Sequence, residues 1–135
     1  MSDFPVTVHI DVRFRDLDPL GHVNNAVYLS YAETARVEYF LRLGYQVGGG
    51  NFILARAEVD YRRPIVLHDD VSVMTRVNKV GNSSFRMLFE VWSNGELAAR
   101  GETVQVWLED GKPSPLPPAL REAIRRLEAQ PVEGL

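Results

Sequence analysis

Asp18 and His22 stand four positions apart in the run Asp18-Pro19-Leu20-Gly21-His22-Val23-Asn24-Asn25. A carboxylate and an imidazole this close can divide proton-transfer work between them, the first taking a proton and the second holding or returning it. The residues that follow have helical periodicity, so the carboxylate lies just before a helix start near Asn24 or Asn25. Backbone N–H groups at such a start have no partner inside the helix and carry its positive dipole end, which suits them to an oxygen gaining negative charge. A carboxylate beside those amides is equipped to attack a carbonyl or to activate a water against one. Asp-Pro-x-Gly is also a common turn signal, and a lone histidine is more often a polar loop residue than a catalyst. His9 and His68 lack any such neighbourhood and are read as ordinary polar residues. No other histidine and carboxylate share ligand spacing, so no metal is expected.

The elements that must position this run follow from periodicity. Residues 6 to 14 alternate Val6, Val8, Ile10, Val12 and Phe14 against Thr7, His9, Asp11 and Arg13, the period of a half-buried strand. A helix is predicted from Asn25 to Leu43, capped by Asn24 or Asn25 and stopped by Gly44. Its apolar arc, from Val27, Tyr28, Tyr31, Ala32, Ala35, Tyr39 and Leu43 and widened by Val37, Phe40 and Leu41, predicts a helix wrapped by a sheet. After the Gly48 to Gly50 run, strands are predicted near 51 to 62, 69 to 80, 83 to 93 and 96 to 108, with tight turns at Gly81-Asn82 and Asn94-Gly95 forming an antiparallel meander. Prolines 113, 115, 117 and 118 end the sheet, and an amphipathic helix at about 117–129 carries Leu120, Ile124 and Leu127 as its apolar stripe. One strand, one long helix and a run of antiparallel strands make an α+β order in which the sheet curls around the helix.

Composition bounds the rest. With 135 residues the chain is predicted to be a single domain, 1–135, whose core is 6–108. A net charge of -3 with scattered basic residues argues against nucleic acid as partner. The absence of cysteine excludes a disulfide framework, a thiolate metal site and a cysteine nucleophile. Met1 to Val8 has no apolar core behind positive charge, and no later run reaches membrane-spanning length, so a cytoplasmic location without membrane contact is expected.

The segment RFRDLDPLGHVNNAVYLSYAETARVEYF resembles the signature of the 4-hydroxybenzoyl-CoA thioesterase-like family, and VDYRRPIVLHDDVSVMTRV at 59 to 77 is a second family-like stretch in the right order. The resemblance implies the hotdog fold, an antiparallel β-sheet wrapped around a long central α-helix, and hydrolysis of an acyl-CoA thioester. It implies that Asp18 is the catalytic carboxylate, as general base or as nucleophile. His22 is implied as a helper that orients water, holds the carboxylate or protonates the departing thiolate. Asn25 is implied to face the thioester carbonyl with its backbone N–H. Tyr28, one turn into the helix, is a candidate wall of the acyl pocket. Arg62 and Arg63 are the best-placed candidates for the coenzyme A phosphates, with Arg76 and Lys79 behind them. No cofactor is expected beyond the coenzyme A of the substrate. Relatives close the half-open sheet by pairing subunits, so a homodimer or homotetramer is expected. A hotdog dehydratase or hydratase, and an acyl-CoA-binding module without turnover, are the competing classes. The first would place an Asp and His pairing further along the helix, and the second would lack Asp18.

Overall fold

The computed structural model describes residues 3–45 and 51–135. The Gly48 to Gly50 run lies outside the described residues. The elements in chain order are β1 (Val6–Ile10), a 3-10 turn (Phe14–Asp16), α1 (Val27–Arg42), β2 (Phe52–Tyr61), β3 (Val71–Val80), β4 (Ser84–Ser93), β5 (Glu96–Glu109), β6 (Lys112–Pro113) and α2 (Pro118–Leu127). The main sheet is antiparallel throughout, in the order β1-β3-β4-β5-β2, with β6 hooked onto the end of β5. This is the α+β hotdog arrangement.

The meander holds for β3, β4 and β5, and its second turn is set by Asn94 and Gly95, both at positive φ (51° and 80°), the geometry that joins two strands through two residues. The predicted first strand of that run, β2, is placed elsewhere: it crosses to the far side of β5 and becomes an edge. Its alternation is weak because Ile53 and Leu54 remain about half exposed. β1 stops at Ile10 rather than at residue 14. The N–H and guanidinium of Arg13 bend back onto the Asp16 carboxylate at 2.9 and 3.0 Å, which turns the chain out of the extended conformation.

α1 begins two residues later than the sequence predicts. Asn24 uses its side chain to accept the Ala26 N–H at 2.9 Å, so Asn24 to Ala26 form a turn that leads into the helix. Gly44, at φ 97°, ends it as expected. One face of α1 (Tyr28, Tyr31, Ala32, Ala35, Arg36 and Tyr39) is buried on β1, β3 and β4. The opposite side stays open, with Leu41 48% exposed, so the sheet cradles the helix rather than enclosing it.

The core divides along α1. Around its first half, Tyr28, Tyr31 and Ala32 pack with Ile65, Val71, Val73, Phe89, Val91, Ala98 and Ala99. Around its second half, Tyr39 packs with Val77, Phe85, Met87 and Trp107 and with Leu120 and Ile124 of α2. Those two α2 residues are fully buried, and each is worth about 1.5–3 kcal/mol of apolar transfer. β5 lies close against its neighbours at Gly101, where a Cβ would come within 2.1 Å of the Glu58 carbonyl oxygen and 2.6 Å of the Phe89 ring. Only glycine lets the three strands approach there.

Candidate active site

The loop carrying Asp18 is a small hairpin. Leu17 bridges Val23, the Asp18 N–H donates to the His22 carbonyl at 2.7 Å, and the Gly21 N–H closes the turn on the Asp18 carbonyl at 3.0 Å. Pro19 fixes its own φ, and Gly21 takes φ +83°, which a side chain would resist. The hairpin is fastened below: Val23 N–H donates to Ile65 O, Asn24 N–H to Asp16 O, each at 2.8 Å, and His22 bridges Val66.

Half-buried Asp18 uses its two oxygens differently. Oδ1 accepts the N–H groups of Leu20 (2.9 Å) and His22 (3.2 Å) and so holds the turn. Oδ2 accepts no hydrogen bond among the described residues. Asp18 is therefore both the turn-builder that its Asp-Pro-x-Gly context suggests and a carboxylate with one lone oxygen. The His22 ring also has no partner among the described residues.

The amides at the start of α1 can be accounted for one by one. Asn24 N–H goes to Asp16 O, Ala26 N–H to Asn24 Oδ1 and Val27 N–H to Asn24 O at 2.8 Å. Among the described residues the N–H of Asn25 alone in this turn has no acceptor. Asn24, not Asn25, supplies the side-chain hydrogen bond at the helix start.

One cleft of about 280 Å³ brings together all six residues singled out from the sequence: Asp18, His22, Asn25, Tyr28, Arg62 and Arg63, with Val23, Tyr61 and Pro64. Tyr28 is 2% exposed, and its hydroxyl donates to the Arg63 carbonyl at 3.3 Å. Burial raises its pKa. The two arginines part company at their heads: Arg63 is ion-paired with Glu96, whereas exposed Arg62 has no side-chain partner among the described residues. The alternatives Arg76 and Lys79 belong to the other end of the molecule, paired with Glu128 and Glu133.

Three residues turn out to build the site: Asp16 and Tyr61, which the sequence reading passed over, and Tyr31, which it read as packing on the apolar face of the helix. Asp16 is 2% exposed and accepts the Arg13 N–H and guanidinium and the Tyr31 hydroxyl, the last at 2.8 Å. Burial by itself raises its pKa, but these donors outweigh burial and hold the carboxyl below its ordinary value. Burial, then the hydrogen bond to Asp16 and the Asp16 charge, push the Tyr31 hydroxyl well up, so it stays a donor. Tyr61 donates to the Asn25 carbonyl at 2.7 Å and meets the Tyr28 ring edge-on at 5.1 Å. The Arg13-x-x-Asp16 spacing was the available signal for Asp16; nothing in the sequence marks Tyr61.

Comparison with known proteins bears on this arrangement. The profile of the thioesterase-like superfamily matches residues 12–124. A crystal structure of a thioesterase from Thermus thermophilus, complexed with coenzyme A and zinc, is 57% identical, covers 98% of this chain and 100% of that one, and superposes with a TM-score of 0.92. A predicted thioesterase from Bacillus stearothermophilus is 30% identical over 93% of this chain and 97% of its own, with a TM-score of 0.85. A 1,4-dihydroxy-2-naphthoyl-CoA hydrolase from Synechococcus elongatus is 29% identical over 120 residues, 82% of this chain and 88% of its own. Among the described residues of this chain, no group of three or more His, Cys, Asp or Glu side chains is placed to hold a metal ion, and no helix is long and apolar enough to cross a membrane. The chain belongs to the thioesterase-like superfamily, and thioester hydrolysis is the activity class that this membership carries.

Proposed function

We propose that this thioester hydrolase cleaves an acyl-CoA to the free acid and coenzyme A. The observation that carries the reading is the meeting, in one cleft, of a carboxylate oxygen and a helix-start amide that both lack a hydrogen-bond partner among the described residues. With the thioester carbonyl oxygen on the Asn25 N–H, Asp18 Oδ2 takes a proton from water as the hydroxide adds to the carbonyl carbon. The oxyanion that forms is held by the amide and the positive end of α1. Collapse breaks the carbon–sulfur bond, and the thiolate recovers a proton from Asp18 or from His22. In the nucleophilic variant Asp18 adds to the carbon itself, the thiolate leaves, and water hydrolyses the mixed anhydride. Both routes use the same two groups. Tyr28 walls the acyl side, and Arg62, whose head has no partner among the described residues, is the cleft arginine open to a coenzyme A phosphate. Similarity to the coenzyme A complex and to the naphthoyl-CoA hydrolase supports a coenzyme A ester, and the second admits an aromatic acyl group.

The cleft, about 280 Å³ and open to solvent, lies at the low end of the roughly 300–1,000 Å³ of ordinary ligand sites and by itself encloses only part of a coenzyme A ester. A second wall would complete it. β2 offers a free sheet edge with Ile53 and Leu54 about half exposed, and α1 an open side at Leu41. We assign that wall to a second copy, in a homodimer that pairs further into a tetramer, acting in the cytoplasm. Light scattering should give two or four times the chain mass; a monomer under assay conditions contradicts this assignment.

The activity is tested by incubating the purified protein with short-chain, long-chain and aromatic acyl-CoAs and measuring free thiol release. Turnover of at least one class, well above the no-enzyme rate, is expected. Binding of every ester without thiol release would favour a binding module.

A further inference from the structure

We propose that Tyr61 is a positioning residue for the Asn25 amide, an inference that rests on the hydrolase reading above. Tyr61 is the last residue of β2, its backbone paired with Ala99 of β5. The next two residues stay fastened, because the N–H groups of Arg62 and Arg63 both donate to the Ala98 carbonyl, at 2.8 and 3.1 Å. From this rigid base the Tyr61 hydroxyl donates to the Asn25 carbonyl at 2.7 Å. Tyr28 ties the same two segments in the opposite sense, from the helix to the Arg63 carbonyl, and the two rings meet at 88°. Two reciprocal hydrogen bonds and one edge-to-face contact thus clasp the end of β2 to the start of α1.

Asn25 is the residue this clasp controls. The Asn24–Asn25 peptide, which carries this amide, is held at the Asn24 carbonyl by the Val27 N–H, and the Asn24 N–H behind it donates to Asp16 O. The next peptide is held at the Asn25 carbonyl by Tyr61 and at the Ala26 N–H by Asn24 Oδ1. With both flanking peptides pinned, the direction of the Asn25 N–H is fixed before any substrate arrives, and such preorganisation is what gives an oxyanion donor its effect. The carbonyl that Tyr61 engages belongs to an exposed residue. Water can replace the hydroxyl there at little loss of stability, but water does not fix an angle. Loss of the hydroxyl should therefore appear in the transition state and hardly elsewhere.

The test is Tyr61→Phe, which keeps the ring and its contact with Tyr28, beside Tyr61→Leu, which removes both. For Tyr61→Phe, kcat should fall about tenfold to thirtyfold, since a donor is misdirected rather than deleted. KM should stay within about twofold and the unfolding midpoint should not move. Tyr61→Leu should lower kcat further and weaken binding as well. In parallel, the Asn25 and Ala26 amide resonances of nitrogen-15-labelled, substrate-free protein should shift in Tyr61→Phe while those of α2 stay fixed. Unchanged kcat, a loss carried wholly by KM, or unmoved Asn25 resonances would each overturn the positioning role. A wild-type protein inactive on every thioester overturns the hydrolase reading instead, and the resonances then judge the tie by itself.

Discussion

Each end of α1 offers a tyrosine hydroxyl to a buried carboxylate, Tyr31 to Asp16 and Tyr39 to Glu128, yet the two acids are held in opposite ways. Asp16 lies under the Asp18 loop with both oxygens engaged, one by the Arg13 N–H and Tyr31, the other by the Arg13 guanidinium. Glu128, just beyond α2, collects the Tyr39 hydroxyl (2.6 Å) and the Val77 N–H (2.8 Å) on a single oxygen. Its other oxygen is buried without a hydrogen bond among the described residues, the Arg76 Nε standing 3.8 Å away. Burial raises the pKa of Glu128 and its donors do not reverse this, whereas those of Asp16 do. Burial acts on both acids; the number and charge of the donors decide the outcome. The charged, fully satisfied carboxylate stands beneath the turn that presents the Asn25 amide, tied to it through Asp16 O and the Asn24 N–H. The under-satisfied one fastens the C-terminal segment, where Arg76 reaches the Pro131 carbonyl and Lys79 pairs with Glu133.

This contrast can be broken from either side. Asp16→Asn should have the larger effect: its donors lose a charged acceptor, at about 2–3 kcal/mol near neutral pH, and kcat should fall about tenfold as the Asn24–Asn25 turn loosens. Glu128→Gln should change stability by no more than about 1 kcal/mol, because an amide oxygen still accepts from Tyr39 and Val77 and no charge is left buried; kcat should not change. Urea unfolding with parallel assays measures both, and equal losses in the two variants would erase the distinction. pH sharpens it. A carboxyl whose folded pKa is depressed, as for Asp16, contributes stability above its unfolded value of about 3.9 and loses it as pH falls through the folded value. One whose folded pKa is raised, as for Glu128, contributes below its unfolded value of about 4.3 and loses that contribution as pH rises through the folded value. The advantage of wild type over Asp16→Asn should therefore grow with rising pH in the acid range, while its standing against Glu128→Gln should decline from acid to neutral pH. Parallel curves would show that the two sites titrate alike.

The residues legible in the sequence were those whose type and local spacing define their task. Asp18, Pro19 and Gly21 are types that build this turn easily, with His22 at the customary spacing after them, Asn94-Gly95 is a hairpin signal by itself, and the apolar face of α1 follows from its period. What the sequence withheld depends on distant partners. Asp16 and Asp18 are both acids in one short loop, and nothing local says that Tyr31, on the helix that follows, will engage the first and leave the second open. Tyr61 resembles any strand-end aromatic until its hydroxyl meets Asn25, 36 positions earlier. Nor does alternation along β2 reveal that it crosses to the far edge of the sheet.

The central claim is that Asp18 acts through its open oxygen and charge, not through the turn it builds. Asp18→Asn separates the two, since the amide oxygen can still accept the Leu20 and His22 N–H groups at the place of Oδ1. The direct measurement is kcat for thiol release from the best acyl-CoA, taken with the unfolding midpoint of the same preparation, and His22→Ala alongside. The expected result is a fall of about a thousandfold or more at a midpoint shifted by less than about 3 °C, with a smaller loss for His22→Ala. Near-full turnover by well-folded Asp18→Asn would contradict the claim and leave Asp18 as a turn residue.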